Sequence, residues 1–406
     1  MNKKYIFIWS LYDFANSLVF ITFLLYFSKW LVVNQGLSDW WYNATFIIGS
    51  IGLILFAPWL GSRADRLRKG RLYLILATLG SCIFYSLALV AAVMQPNIFV
   101  AALCFGLGNF FYQLSFVFYN PLLNGLANKE NRGKASGIGL LGNYLGQIAG
   151  VLMAIPFVSG KISLGIDPLI ASMVPAIILF LILSLPLLLN KKIFEISQSV
   201  PDTDSIQGQS LKSLFNSIFS IPALALFMTS FFLFSDAITT LVNNFSIFMS
   251  SLFHVSDSRI SILTLLVIIS AGIGALVYGY FSDKIGSQKT LLWSLISWVI
   301  IIPVISFSTN YSVFFVFSVI TGFFIGATFA VSRKVLIELV PSDRLNYFFG
   351  IYAISERAAT IVGPLLWTAV LAMGGYRWAM FSMVIFQVIS VILMRKVIKI
   401  RKSGTI

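Results

Sequence analysis

The chain alternates long apolar runs with short polar stretches. A membrane-crossing helix needs about 20 mostly apolar residues. Twelve runs meet that length: 5–33, 42–61, 71–94, 97–127, 135–158, 168–190, 221–250, 259–281, 289–308, 311–339, 345–373 and 376–395. Most of the stretches between them are very short, which forces neighbouring helices to be antiparallel. The exception is 191–220, with Lys191, Lys192, Glu195, Asp202 and Asp204 around a Ser/Gln-rich middle. It follows the sixth run and reads as a linker between two six-helix halves, 1–190 and 221–406. The pattern predicts an all-α membrane protein with twelve transmembrane helices in two pseudo-symmetric bundles.

Composition agrees. The chain is 58% hydrophobic and 10% charged, too little charge to cover a soluble protein of this length. A net charge of +14 does not point to nucleic acid here, because the cations sit in short loops between apolar runs. With the N-terminus inside, the inner segments carry 23 Lys and Arg residues and the outer ones carry four: Lys29, Lys161, Arg259 and Arg377. Arg357 is left in mid-membrane. That asymmetry places both termini and the linker in the cytoplasm. Cys82 and Cys104 lie inside apolar runs and form no metal motif. No Gly-x4-Gly-Lys-Ser/Thr loop is present, so the chain has no ATPase of its own and no expected cofactor; a gradient is the expected energy source. Met-Asn-Lys-Lys leads into the first run without a small-residue cleavage site, so that run reads as a helix and not a removed signal.

The halves repeat one another. Gly61-Ser62-Arg63-Ala64-Asp65-Arg66-Leu67-Arg68-Lys69-Gly70-Arg71 is a basic loop with one acid, between the second and third runs. A weaker copy, Gly279-Tyr280-Phe281-Ser282-Asp283-Lys284-Ile285-Gly286-Ser287-Gln288-Lys289, stands between the eighth and ninth. In both, Gly is followed four residues later by Asp and then by a cation. Asp13 in the first run and Asp236 in the seventh occupy equivalent places. Asn120 stands twelve residues before Arg132, as Ser332 does before Arg344.

These stretches resemble the signature loop of the major facilitator superfamily. More narrowly, Trp9-Ser10-Leu11-Tyr12-Asp13-Phe14-Ala15-Asn16-Ser17, Tyr119-Asn120-Pro121-Leu122-Leu123, Arg132-Gly133-Lys134-Ala135-Ser136-Gly137, Phe348-Phe349-Gly350-Ile351-Tyr352 and Gly363-Pro364-Leu365 resemble its vacuole-effluxer-like (autophagy-related) branch. Its bacterial members are often called the unknown major facilitator family. The resemblance implies two parallel six-helix repeats with a substrate site between them and runs 1 and 7 lining the cavity. It also implies transport, since eukaryotic members of the branch are described as exporters of amino acids from the vacuole. Short loops fit a bacterial inner-membrane protein, expected as a monomer.

The candidate chemistry follows. An acid within a span costs roughly 2.5–3.5 kcal/mol on insertion scales, so Asp13 and Asp236 need a reason. Asn16 lies within a turn of Asp13, and Thr240 within a turn of Asp236. Each acid is a proton or substrate site, or a buried carboxylate that ties helices together. Glu356 and Arg357 point about 100° apart on a helix; the Arg is a ready fork for a carboxylate, or a tether. Gly137-Ile138-Gly139-Leu140-Leu141-Gly142 matches a dinucleotide pattern, but no strand precedes it, and small residues at helical spacing favour close helix packing. Asn143 and Gln147 on the same helix offer polar contacts to a cavity or to other helices. Gly61, Asp65, Arg66, Arg71, Gly279, Asp283 and Lys284 form an expected conformational latch, set against simple anchoring of the cytoplasmic face. The expected function is secondary transport of a small zwitterion such as an amino acid, coupled to protons. Export of a drug-like or lipid-like amphiphile is the first alternative, favoured if rings such as Tyr12, Phe116, Tyr119 and Tyr352 line the cavity. A non-transporting receptor or assembly partner is the second. No nucleophile–base set argues for an enzyme.

Overall fold

The structure is a computed structural model that describes residues 3–94, 97–127, 132–198, 218–340, 348, 351–352, 355–356 and 359–402. The first apolar run forms α1, Lys3–Thr22, and continues through two π-helical stretches, Phe23–Phe27 and Trp30–Asn34. Next come α2 (Asp39–Arg66), α3 (Gly70–Met94), α4 (Ile98–Tyr119), the short α5 (Leu122–Leu126), α6 (Arg132–Val158), α7 (Pro168–Leu189) and α8 (Lys191–Gln198). Beyond residue 217 lie α9 (Pro222–Phe253), α10 (Asp257–Ile285), α11 (Ser287–Phe307), α12 (Tyr311–Leu339), α13 (Val362–Ser382) and α14 (Val384–Lys402).

Eleven helical stretches among the described residues are long and apolar enough to cross a membrane. The last, Val362–Arg401, is interrupted by Gly375 at φ 77°, a conformation that glycine adopts without a Cβ clash. The interruption falls between the eleventh and twelfth expected runs, so this one stretch contains parts of both. The fourth run, expected as 97–127, is also divided. It stops at Tyr119 because Pro121 has no N–H to donate and its ring clashes with the preceding turn; α5 follows as a separate short piece.

The expected basic loop at 61–71 is mostly helix. α2 runs on to Arg66, and only Leu67, Arg68 and Lys69 turn the chain before α3. Arg68 takes a left-handed conformation (φ 50°), while the Lys69 N–H bonds the Ala64 carbonyl at 2.8 Å. Leaving the apolar layer does not end a helix, and cations in a last turn favour its C-terminal dipole. The copy behaves alike: α10 continues through Asp283 and Lys284 to Ile285.

The chain forms two compact units, Met1–Thr203 with Met249–Ser261, and Asp204–Phe248 with Ile262–Ile406. In the first, α1 packs against α6 and α7, while α4 packs against α2 and α3. Its core includes Trp9, Tyr12, Tyr119 and Leu187, and α8 joins through Ile193 and Phe194. In the second, α11 is the hub for α12, α13 and α14. Large apolar side chains also cover the outside; Leu76, Leu276 and Met373 are 54%, 78% and 81% exposed. An exterior of that kind suits lipid and not water.

Candidate functional site

Close approach of two helices builds the polar cluster of the first unit. Gly142, Gly146 and Gly150 of α6 face the backbone of α1 so tightly that no side chain fits. A Cβ at Gly146 would lie 2.1 Å from the Phe14 carbonyl oxygen, and one at Gly150 would lie 2.6 Å from that of Leu18. The glycine pattern is therefore a packing seam. Ser10 Oγ donates across it to the Ile138 carbonyl at 2.9 Å.

The seam brings Asn143 to α1. Its Nδ2 donates to Asp13 Oδ1 at 3.3 Å and to Ser17 Oγ at 2.5 Å. Gln147 Nε2 donates to Asn143 Oδ1 at 2.7 Å. Ser17 is four residues after Asp13 and shares its helix face. Asp13, Asn143 and Gln147 are half-buried and not sealed. Asn16 is directed elsewhere: its Nδ2 reaches Ser115 Oγ of α4 at 3.5 Å, and its Oδ1 is buried without a partner among the described residues. Beside the cluster, the Trp9 and Tyr119 rings stack at 4.9 Å, and the Tyr119 hydroxyl donates to the Trp9 carbonyl at 2.9 Å. Tyr12 shares a hydrogen bond with Thr78 at 2.8 Å.

In the second unit Asp236 is fully buried. Its Oδ2 accepts from the backbone N–H of Val362 at 3.0 Å and of Gly363 at 2.8 Å. Those are the first amides of α13, which lack partners within their own helix. The residue that precedes α13, Ile361, offers no side-chain cap. Asp236 supplies from α9 the carboxyl oxygen that caps those amides. Gly363 leaves room for this: a Cβ there would lie 2.3 Å from Thr240 Oγ1 and 2.7 Å from Asp236 Oδ1. Glu356 is half-buried; Arg357 lies outside the described residues.

The repeated motif sits at helix ends. Asp65 is in the last turn of α2, and Gly61 is buried. Arg66 is exposed beside it. Arg71 Nε donates to the Leu188 carbonyl at 2.6 Å, which satisfies an acceptor left open at the end of α7. In the copy, Asp283 pairs with Lys334 of α12, whose ammonium also donates to Ser282 Oγ at 3.1 Å. Lys284 lies over the Tyr280 ring at 4.5 Å. Gly279 has open space where a side chain would go, so close packing does not demand glycine there.

Sequence reading missed Lys334 as a partner of Asp283. It also missed the ion pair of Lys29 with Asp257 and the hydrogen bond of Tyr26 with Ser261 at 2.7 Å, both within the first unit. Unlike charges spaced hundreds of residues apart give no local signal. Lys29 and Asp257 were legible only as polar residues near run ends.

A family model, Major Facilitator Superfamily, matches residues 225–405. An uncharacterized protein of Aquifex aeolicus is 24% identical over 329 residues, which cover 80% of this chain and 79% of that one. Autophagy-related protein 22 of Candida glabrata is 28% identical over 155 residues, 35% of this chain and 28% of that protein. The match therefore spans under a third of that relative's length. Among solved structures, a bacterial homologue of the human lysosomal transporter Spinster superposes with a TM-score of 0.71 at 14% identity, covering 98% of this chain and 99% of the other. The chain is a multi-pass, all-α membrane protein with the major facilitator fold, and over residues 225–405 it is similar to the family model of that superfamily.

Proposed function

We propose that the protein is a secondary active transporter that moves an amino acid or similar small zwitterion by alternating access, coupled to protons. Residues 1–190 and 221–406 are its two moving halves, joined by 191–220. The observation that carries this reading is the Asp13–Asn143–Gln147–Ser17 cluster. It combines a carboxylate with amide donors on half-buried faces of α1 and α6, where an ammonium group or a proton can reach the acid. Asp236 with Thr240 has the second role of fixing the start of α13, downstream of Glu356 and Arg357. The substrate class rests also on the likeness to the autophagy-related branch. Of the rings that an aromatic cavity for amphiphiles would use, Tyr12, Tyr119 and Tyr352 are buried and Phe116 is half-buried, which favours the zwitterion over that alternative. A receptor role gives no reason to keep acids inside spans. Short loops favour a bacterial inner membrane, and the positive-inside pattern favours cytoplasmic termini.

Uptake of a mixed amino-acid panel into proteoliposomes, with and without an inward proton gradient, tests the reading. Gradient-driven uptake of one class, abolished in Asp13→Asn, is the expected result. Uptake that persists unchanged in Asp13→Asn removes the cluster from the mechanism. No uptake of any amino acid by folded protein removes the substrate class.

A further inference from the structure

The second unit holds a cavity that the transport reading leaves unused. Its volume is about 240 Å³, and its wall includes Ser287, Gln288, Lys289, Glu338 and Arg401. That is below the roughly 300–1,000 Å³ of sites for drug-sized ligands, and suits a single small group.

Three features fix the chemistry of that group. First, α11 begins here. The preceding Gly286 (φ 90°) has no side chain to cap it, so the opening amides of a 21-residue helix carry the positive end of its dipole toward the cavity. Second, Gln288 is only 9% exposed, yet its Nε2 has no hydrogen-bond partner among the described residues. A buried donor without an acceptor is uncommon and calls for one. Third, the charges are unequal. Lys289 and Arg401 face one carboxylate, Glu338, whose Oε2 already accepts from Ser287 Oγ at 2.5 Å and Arg401 NH1 at 3.0 Å. The wall therefore offers donors and positive charge to an incoming group that brings oxygens and negative charge.

We propose that this cavity binds a phosphate-type oxyanion, held by Gln288 Nε2, the first N–H groups of α11 and the Lys289 ammonium. Arg401 neutralises Glu338 and keeps the carboxylate from repelling the anion. Ile285 and Ile398 add apolar surface to the wall, so the anion is either free in solution or the headgroup of a lipid whose chain runs along them. Basic pockets among membrane helices commonly take such headgroups.

The test uses the full-length protein in detergent, with the melting midpoint read against two probes separately. One is inorganic phosphate; the other is phosphatidylglycerol in phosphatidylcholine mixed micelles. A saturable rise with at least one probe is expected, because a ligand that binds the folded state stabilises it. The apparent affinity falls about tenfold in Gln288→Leu. Lys289→Gln weakens it likewise, while Lys399→Gln, which removes the same charge outside the cavity wall, does not. Saturation by inorganic phosphate assigns a soluble anion. Saturation by phosphatidylglycerol alone assigns a lipid headgroup. No saturable response to either overturns the proposal. So does an equal response in wild type, Gln288→Leu and Lys289→Gln, which would mark general surface charge. If Gln288→Leu does not fold, Lys289→Gln against Lys399→Gln decides by itself.

Discussion

Replacing Gly146 by alanine tests whether helix approach assembles the Asp13 cluster. The new Cβ would lie 2.1 Å from the Phe14 oxygen and 2.8 Å from its carbonyl carbon. Carbon and carbonyl oxygen settle no nearer than about 3.3 Å, so α6 must retreat by about 1.2 Å at this point. Asn143 is one turn away, and its bond to Asp13 is already 3.3 Å long. A retreat of that size takes it beyond hydrogen-bond range. Overpacking a tight contact costs roughly 1–3 kcal/mol, and a displacement near 1 Å at a working site reduces rates by up to roughly a hundredfold. The assay pairs a melting midpoint in detergent with proteoliposome uptake. Gly272→Ala on α10 is the control, since nothing lies within 4 Å of its added carbon; it gains up to about 1 kcal/mol of helix propensity. Gly146→Ala is expected to fold with a lowered midpoint and to lose most of its uptake. Wild-type midpoint and wild-type uptake in Gly146→Ala would refute the link between the glycine seam and the cluster.

Two further outcomes are expected. Asp236→Leu leaves the Val362 and Gly363 amides without an acceptor in a buried site, at roughly 1–3 kcal/mol each, whereas Asp236→Asn retains a side-chain oxygen and loses much less; melting midpoints that rank the other way would remove Asp236 as the anchor of α13. Arg71→Gln loses the charged donor to the Leu188 carbonyl, worth roughly 1.5–3 kcal/mol, and Arg71→Lys restores only part of it; a pair of variants as stable as wild type would show that the end of α7 is satisfied without Arg71.

The membrane fold was legible because a span must be apolar along its whole length, so each run announces itself. Helix ends were less legible. Beyond the apolar layer a helix continues on backbone hydrogen bonding and charge, as at Arg66 and Ile285, and hydropathy carries no record of it. Asp13 could be singled out because an acid inside a span is expensive, and Asn143 and Gln147 because they are polar on an apolar helix. Their meeting could not, since it depends on the exact separation of α1 and α6. The glycines that set this separation were read correctly as packing residues, but not as what delivers Asn143 to Asp13. Asp236 shows the harder limit. Its partners are two backbone amides, and every residue except proline has one, so no sequence pattern identifies them. The same holds for Arg71, whose acceptor is a main-chain carbonyl.

The two π-helical stretches at the end of the first span have a consequence for angular phase. A π turn holds more residues than the 3.6 of an α-helix, so each wide turn delays the rotation of everything after it. Phe23–Phe27 and Trp30–Asn34 fall between Asp13 and the far end of the span. A helical wheel drawn from Trp9 onward at constant pitch therefore points Tyr26 and Lys29 in the wrong directions, although it serves for Asp13 and Ser17. The first span is one continuous helix in length but two in orientation, and its near and far ends address different neighbours.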